Sequence, residues 1–99
     1  MILQVFKVRG ASLAPDYQDG DFVVASTLPI FFRRLRAGDV VVFRQPAYGR
    51  LVKRVERLEP SGEVFVVGSG EGSIDSRVFG PIRRADVQGV VLWHVKREK

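Results

Sequence analysis

Ser12, Lys53 and the run Gly68–Arg77 are where this sequence concentrates groups able to do nucleophilic or acid–base chemistry. A serine hydroxyl attacks a carbonyl only when a base takes its proton, and a lysine becomes such a base when burial disfavours its charged form. Ser12 lies in Gly10-Ala11-Ser12-Leu13-Ala14-Pro15, where small residues permit close approach of another chain and Pro15 stops a strand. A serine in such a turn can equally be a turn residue and nothing more. Lys53 falls in an expected strand, whose alternation puts Leu51, Lys53 and Val55 on one face and Val52, Arg54 and Glu56 on the other. The same count assigns Leu58 to the Arg54 face. Lys53 is therefore either desolvated on an inner face or extended along apolar surface to reach solvent.

The third segment, Gly68-Ser69-Gly70-Glu71-Gly72-Ser73-Ile74-Asp75-Ser76-Arg77, has the look of a phosphate-binding loop, but neither a helix pattern nor a P-loop lysine follows it. Asp75 and Arg77, two residues apart, suit a local ion pair that would fix the loop and turn Ser73 or Ser76 inward. His94 is the single histidine. It is expected to be structural, with a Ser12–His94–Asp triad as the alternative. With no cysteine there is no thiol nucleophile, disulfide framework or thiolate metal site, and one histidine makes a zinc site improbable. No cofactor or metal is expected.

These groups need a scaffold, and 99 residues supply one domain, 1–99, with a thin but real core. Short Val-, Phe- and Ile-rich runs between Gly, Pro and Asp predict strands near 2–8, 21–26, 39–44, 50–58, 63–68 and 87–95. Pro60-Ser61-Gly62 is a tight turn closing a hairpin. No apolar period of 3.6 persists, so little helix is expected and the fold class is mainly β, a compact antiparallel barrel-like domain. Two long connections, 27–38 and 69–84, are the natural carriers of function. One near repeat, Gly20-Asp21-Phe22-Val23-Val24 and Gly38-Asp39-Val40-Val41-Val42, reads as the same turn entering a buried strand twice.

The net charge is +5, with the excess in Arg33, Arg34 and Arg36, in Arg83 and Arg84, and in Lys96, Arg97 and Lys99. Such a balance permits nucleic acid or an anionic membrane as partner, or simply a solvated surface. Ile30-Phe31-Phe32 beside Arg33 and Arg34 forms an apolar tip with a basic collar, an expected peripheral membrane contact unless the aromatics fold inward. No apolar run approaches the ~20 residues that span a bilayer, and Met1–Val8 does not fit a signal peptide. The expected location is cytoplasmic or peripheral to the membrane.

Taken in order, Gly10-Ala11-Ser12-Leu13-Ala14-Pro15, Gly20-Asp21, Gly38-Asp39, Val52-Lys53-Arg54-Val55 and Gly72-Ser73-Ile74-Asp75-Ser76-Arg77-Val78-Phe79-Gly80 resemble the boxes of the signal peptidase I family. The resemblance runs from about Val8 to Gly89. It implies the fold shared by signal peptidases and the self-cleaving SOS repressors, the latter lacking the Asp-Ser-Arg box. It implies a serine endopeptidase that removes an N-terminal segment from a precursor, with Ser12 as nucleophile and Lys53 as general base. Ser73 falls where the family hydrogen-bonds the lysine, and Asp75 and Arg77 fall on its structural ion pair. The Ser12 backbone N–H would be an oxyanion donor, and substrate would bind as an extended strand. The sequence departs from the family at Leu13 (usually Met), at Gly10, where some members supply a second oxyanion hydroxyl, and at Ser69 and Gly70 in place of Asp-Asn. In size and layout it is similar to short maturation proteases associated with nickel-type superoxide dismutase, which makes that kind of precursor one candidate. The alternative function is a weak or inactive β domain that binds peptide or nucleic acid; aromatics within expected strands disfavour nucleic acid.

Overall fold

The structure, a computed structural model, describes residues 2–8, 17–68 and 73–96, with only the backbone of Ile30 and Phe31. Its strands are β1 (Leu3–Lys7), β2 (Phe22–Ser26), β3 (Val40–Gln45), β4 (Gly49–Leu58), β5 (Val64–Val67) and β6 (Val87–Val95). All six lie within a residue or so of the runs expected from sequence, because each carries β-branched or aromatic residues between turn signals, alternating in burial along β5 and buried at four consecutive positions in β3. Helix is confined to α1 (Pro29–Arg33), α2 (Ser76–Phe79) and a 3-10 turn at Arg84–Asp86. α1 and α2 are too short for an apolar period to show in sequence.

The strands form one antiparallel sheet in the order β1-β2-β6-β3-β4-β5. The sheet curls without closing: β1 and β5 remain its two edges. Register shifts at Val24/Ala25, Val42/Phe43 and Val55/Arg57 supply local twist for the curl. Its extent is visible where the Arg50 guanidinium carbon of β4 stands 4.9 Å from the centroid of the Phe6 ring of β1. Phe6, Val8, Val23 and Ala25 thereby pack on Val42, joined by Val52, across the curl. The opposite face of β3–β4–β5 buries Val41, Phe43, Val55, Val64 and Val66, capped by Leu35, Ile82, Phe32 and Phe79 from the long connections.

The shift after Val55 corrects one expectation. Val55 pairs with Val66, Arg57 with Phe65 and Leu58 with Val64, so Glu56 is the extra residue. Alternation resets there, and Leu58 packs in the same cluster as Val55 rather than on the Arg54 face. The 59–63 hairpin turn is as expected, with Glu59 and Glu63 joined by a backbone hydrogen bond of 2.8 Å.

Candidate active site

Lys53 sits in the middle of β4, opposite Val41 of β3. Leu51 and Val55, two residues to either side, both join the Val41–Phe43 cluster, so the inner-face reading holds. The lysine is 3% exposed. Its Nζ donates a 3.1 Å hydrogen bond to Ser73 Oγ. Burial holds the Lys53 pKa below its ordinary value; the Asp75 carboxylate opposes this and Arg77 reinforces it. The site therefore contains an amine inclined to be neutral, with a hydroxyl fixing its direction.

Asp75, two residues beyond Ser73, ties this segment to Gly68, just past the end of β5. Its side chain is fully buried. Oδ2 accepts from Arg77 Nη2 at 2.6 Å and from the Gly68 N–H at 2.9 Å, while Oδ1 accepts from the Arg77 Nε and backbone N–H, both at 3.0 Å. This is a two-pronged guanidinium–carboxylate pair with backbone donors filling the remaining lone pairs. Burial pushes the Asp75 carboxyl upward, but the Arg77 side chain, with the Gly68 and Arg77 amides, outweighs it and holds the pKa down at about 2. Asp75 also caps α2 through the Arg77 N–H. Ser76 is buried too, but it points away from the lysine: its Oγ accepts the Val66 N–H at 2.9 Å. Of the two serines that the ion pair could turn inward, Ser73 meets Lys53 and Ser76 fastens α2 to β5.

Ser12 and Gly10 lie outside the described residues, as do Ser69 and Gly70. The chain on either side of the Ser12 segment is described, and it follows the near repeat closely. Gly20 and Gly38 both have positive φ, 92° and 98°, the region that glycine enters without steric cost. The Gly20 N–H donates to Val8 O at 2.9 Å and the Val8 N–H to Asp21 O at 2.7 Å. The Gly38 N–H donates to Val55 O at 2.9 Å and the Val55 N–H to Asp39 O at 2.7 Å. Both aspartates accept, through Oδ2, the amide of the residue three before: Gln18 for Asp21 and Arg36 for Asp39. One turn design thus holds Val8, just past β1, and Val55, inside β4. Val8 leads four residues later to Ser12, and Val55 follows Lys53 by two.

The first turn carries an addition. His94 Nε2, at the end of β6, is 2.6 Å from Asp21 Oδ2, and its ring stacks on Tyr17 at 4.2 Å between centroids. His94 is therefore partnered by a carboxylate, an arrangement that suits a structural histidine and a histidine–aspartate pair of a triad alike. Nothing in the sequence pointed to Asp21, 73 positions away, as its partner.

The chain resembles known proteins along most of its length. The family described as signal peptidase, peptidase S26, matches at residues 1–58. Mitochondrial inner membrane protease subunit 1 of Mus musculus is 28% identical over 92% of this chain and 68% of that protein. Signal peptidase I V of Bacillus subtilis (strain 168) is 25% identical over 87% of this chain and 82% of that protein. Mitochondrial ATP-independent inner membrane protease subunit 1a of Arabidopsis thaliana is 29% identical over 95% and 71%. With the family match covering more than half of its residues, the chain belongs to the signal peptidase family of serine proteases, peptidase S26.

Proposed function

We propose that this protein is an endopeptidase that removes an N-terminal segment from a precursor protein, with Ser12 as nucleophile and Lys53 as general base. The observation that carries the reading is the buried Lys53 amine, hydrogen-bonded to Ser73 on an otherwise apolar face. Ammonium groups are rarely buried in this way without a purpose that outweighs the desolvation cost. In the first step neutral Lys53 Nζ takes the Ser12 hydroxyl proton as Oγ bonds to the scissile carbonyl carbon. The resulting oxyanion is met by the Ser12 backbone N–H. The Lys53 ammonium then gives its proton to the leaving amine as the C–N bond breaks. Water, deprotonated by the same lysine, releases the acyl group and regenerates Ser12.

The surrounding groups tune this cycle. Ser73 Oγ accepts from Nζ and so directs the remaining amine substituents and lone pair. The Asp75 charge favours a protonated lysine, and the Arg77 charge offsets it. Pairing the two leaves desolvation as the deciding influence. Substrate would add as an extended strand, reading backbone hydrogen bonds first and side-chain size second.

Peripheral membrane contact belongs to the same proposal, but a second surface supports it better than the segment Ile30–Arg34. Phe32 packs against the core, and the Ile30 and Phe31 side chains lie outside the described residues. Across β1, β2 and β6, Val5 aligns with Val24 and Trp93, and Lys7 with Phe22 and Val95. Val5 and Trp93 are 65% and 64% exposed. These strands contain no acidic residue, and an apolar patch with an aromatic and a lysine suits an anionic lipid surface. No helix among the described residues is long and apolar enough to cross a membrane.

The test is cleavage of a precursor or leader peptide by wild type, Ser12→Ala and Lys53→Met. Both variants should lose at least about a thousandfold in kcat/KM. Retained cleavage in Lys53→Met would remove the lysine from the mechanism. If wild type cleaves nothing yet binds leader peptides, the peptide-binding reading takes its place.

A further inference from the structure

The two Gly-Asp turns form an internal control. Each makes the same backbone pair, to Val8 just past β1 or to Val55 inside β4, with matching lengths of 2.9 and 2.7 Å, and each aspartate accepts the amide three residues back. At the second turn the side chain that joins is Arg54, whose Nη1 donates to Gly38 O at 3.2 Å; among the described residues no side chain reaches the Asp39 carboxylate, so the aspartate of such a turn does not require a side-chain partner. Asp21 Oδ2 nevertheless shares a hydrogen bond of 2.6 Å with His94 Nε2, and His94 in turn stacks on Tyr17. Asp21 Oδ2 also accepts the Gln18 amide, and when this carboxylate is ionised Nε2 is the group that carries the hydrogen.

The added groups stand at both ends of one segment. Val8, held by the Asp21 carbonyl, is where the chain enters residues 9–16. Tyr17, held under the His94 ring, is where it leaves. Gln18, next in sequence, donates its amide to the Asp21 carboxylate. Asp21 and His94 thus fix entry and exit together, and His94 is itself rooted in β6, a central strand of the sheet.

We infer that His94, acting through Asp21 and Tyr17, is a positioning residue for the Ser12 segment: the pair fixes the separation and direction of the two chain ends from which the nucleophile is presented. The inference rests on the assignment of Ser12 and Lys53 above. Its physical basis is that catalytic geometry is unforgiving, with displacements on the order of 1 Å costing about a hundredfold in rate. The lysine side of the dyad needs no equivalent clamp, because Lys53 lies inside a ten-residue strand paired on both sides. The serine side hangs from the end of an edge strand.

The experiment compares wild type, Ser12→Ala, Lys53→Met, His94→Phe and His94→Gln on a cleaved leader peptide, with amide hydrogen exchange on the same proteins. His94→Phe keeps a ring on Tyr17 but has no donor; His94→Gln restores a donor of similar reach. The expected result for His94→Phe is a kcat lower by roughly ten- to a hundredfold, KM within about twofold, and most of the loss recovered in His94→Gln. Exchange should accelerate at residues 9–16 and at the Gly20 amide, and stay unchanged at the matching Gly38 and Val55 amides. Should His94→Phe fold poorly, His94→Asn, too short to reach Asp21, gives the same comparison. An unchanged kcat in folded His94→Phe overturns the inference, as does a loss that only follows the folded fraction or faster exchange spread evenly over β2 and β6. Activity in Ser12→Ala or Lys53→Met overturns the dyad itself, whatever His94 does. Abolition in His94→Phe with full activity in Lys53→Met would instead make His94 the base.

Discussion

The turn at Gly20-Asp21 and the turn at Gly38-Asp39 have matching hydrogen bonds but differ in how much else holds them. Both turns enter strands paired on both sides, β2 and β3, but the second turn's partner Val55 lies inside the longest strand of the sheet. The first turn's partner Val8 follows β1, an edge strand. Where the sheet already immobilises the backbone, the turn carries only the Arg54 guanidinium on its Gly38 carbonyl, at 3.2 Å. Where it does not, a histidine, a tyrosine and a buried carboxylate are added. The lesson is that identical local sequence yields identical local structure, while the restraint each copy needs depends on its place in the sheet.

The largest expected effect separates chemistry from architecture on the lysine side. Lys53→Met should abolish cleavage yet leave the thermal midpoint unchanged or raised, since an apolar side chain of similar length removes a buried ionisable group. A lower midpoint of several degrees would mean that Lys53 is an architectural residue and would weaken its assignment as base.

Next in size is Asp75→Asn. It removes the charge and turns one of the two accepting oxygens that hold Gly68 and Arg77 into a donor, and should cost about 2–3 kcal/mol in urea unfolding at neutral pH. The sign with pH follows from its lowered pKa. The stabilisation from ionised Asp75 is fully present above the ordinary aspartate value of about 3.9 and is lost as pH falls towards about 2. Wild type and Asp75→Asn should therefore converge in stability as the pH is lowered through that window. Divergence there would show that Asp75 is not held ionised by Arg77.

A subtler effect concerns the Lys53 charge balance. Arg77→Met leaves the Asp75 carboxylate uncompensated, which favours protonated Lys53. The rising limb of the pH–rate profile should shift to higher pH, and the rate at neutral pH should fall by roughly three- to tenfold. A shift to lower pH would contradict the assigned influences.

The smallest effect tests the equivalence of the turns directly. Gly20→Ala and Gly38→Ala each place a Cβ at positive φ and should cost about 1–2 kcal/mol, alike to within about 0.5 kcal/mol, in thermal unfolding. Markedly unequal costs would break the comparison.

What the sequence disclosed and what it concealed follow separation along the chain. Strands were readable because runs of β-branched and aromatic residues between turn signals are local, and the Asp75–Arg77 pair because its members are two apart. The facing of Leu58 was misread because a single extra residue at Glu56 resets the alternation and leaves no signature in composition. The meeting of Lys53 with Ser73, twenty positions apart, was anticipated from the resemblance alone. The joining of Asp21 to His94 depends on β2 pairing with β6, a topology that no spacing rule specifies.

The most direct test of the central claim is the rate at which a serine-directed acylating probe labels Ser12, followed from pH 5 to 11 in wild type and Lys53→Met, with the label located by peptide mapping. The account predicts modification at Ser12 in wild type, at a rate rising with pH through a midpoint below the ordinary lysine value of about 10.4, and almost none in Lys53→Met across the range. Labelling of Lys53→Met at the wild-type rate, or modification at another residue, would contradict it.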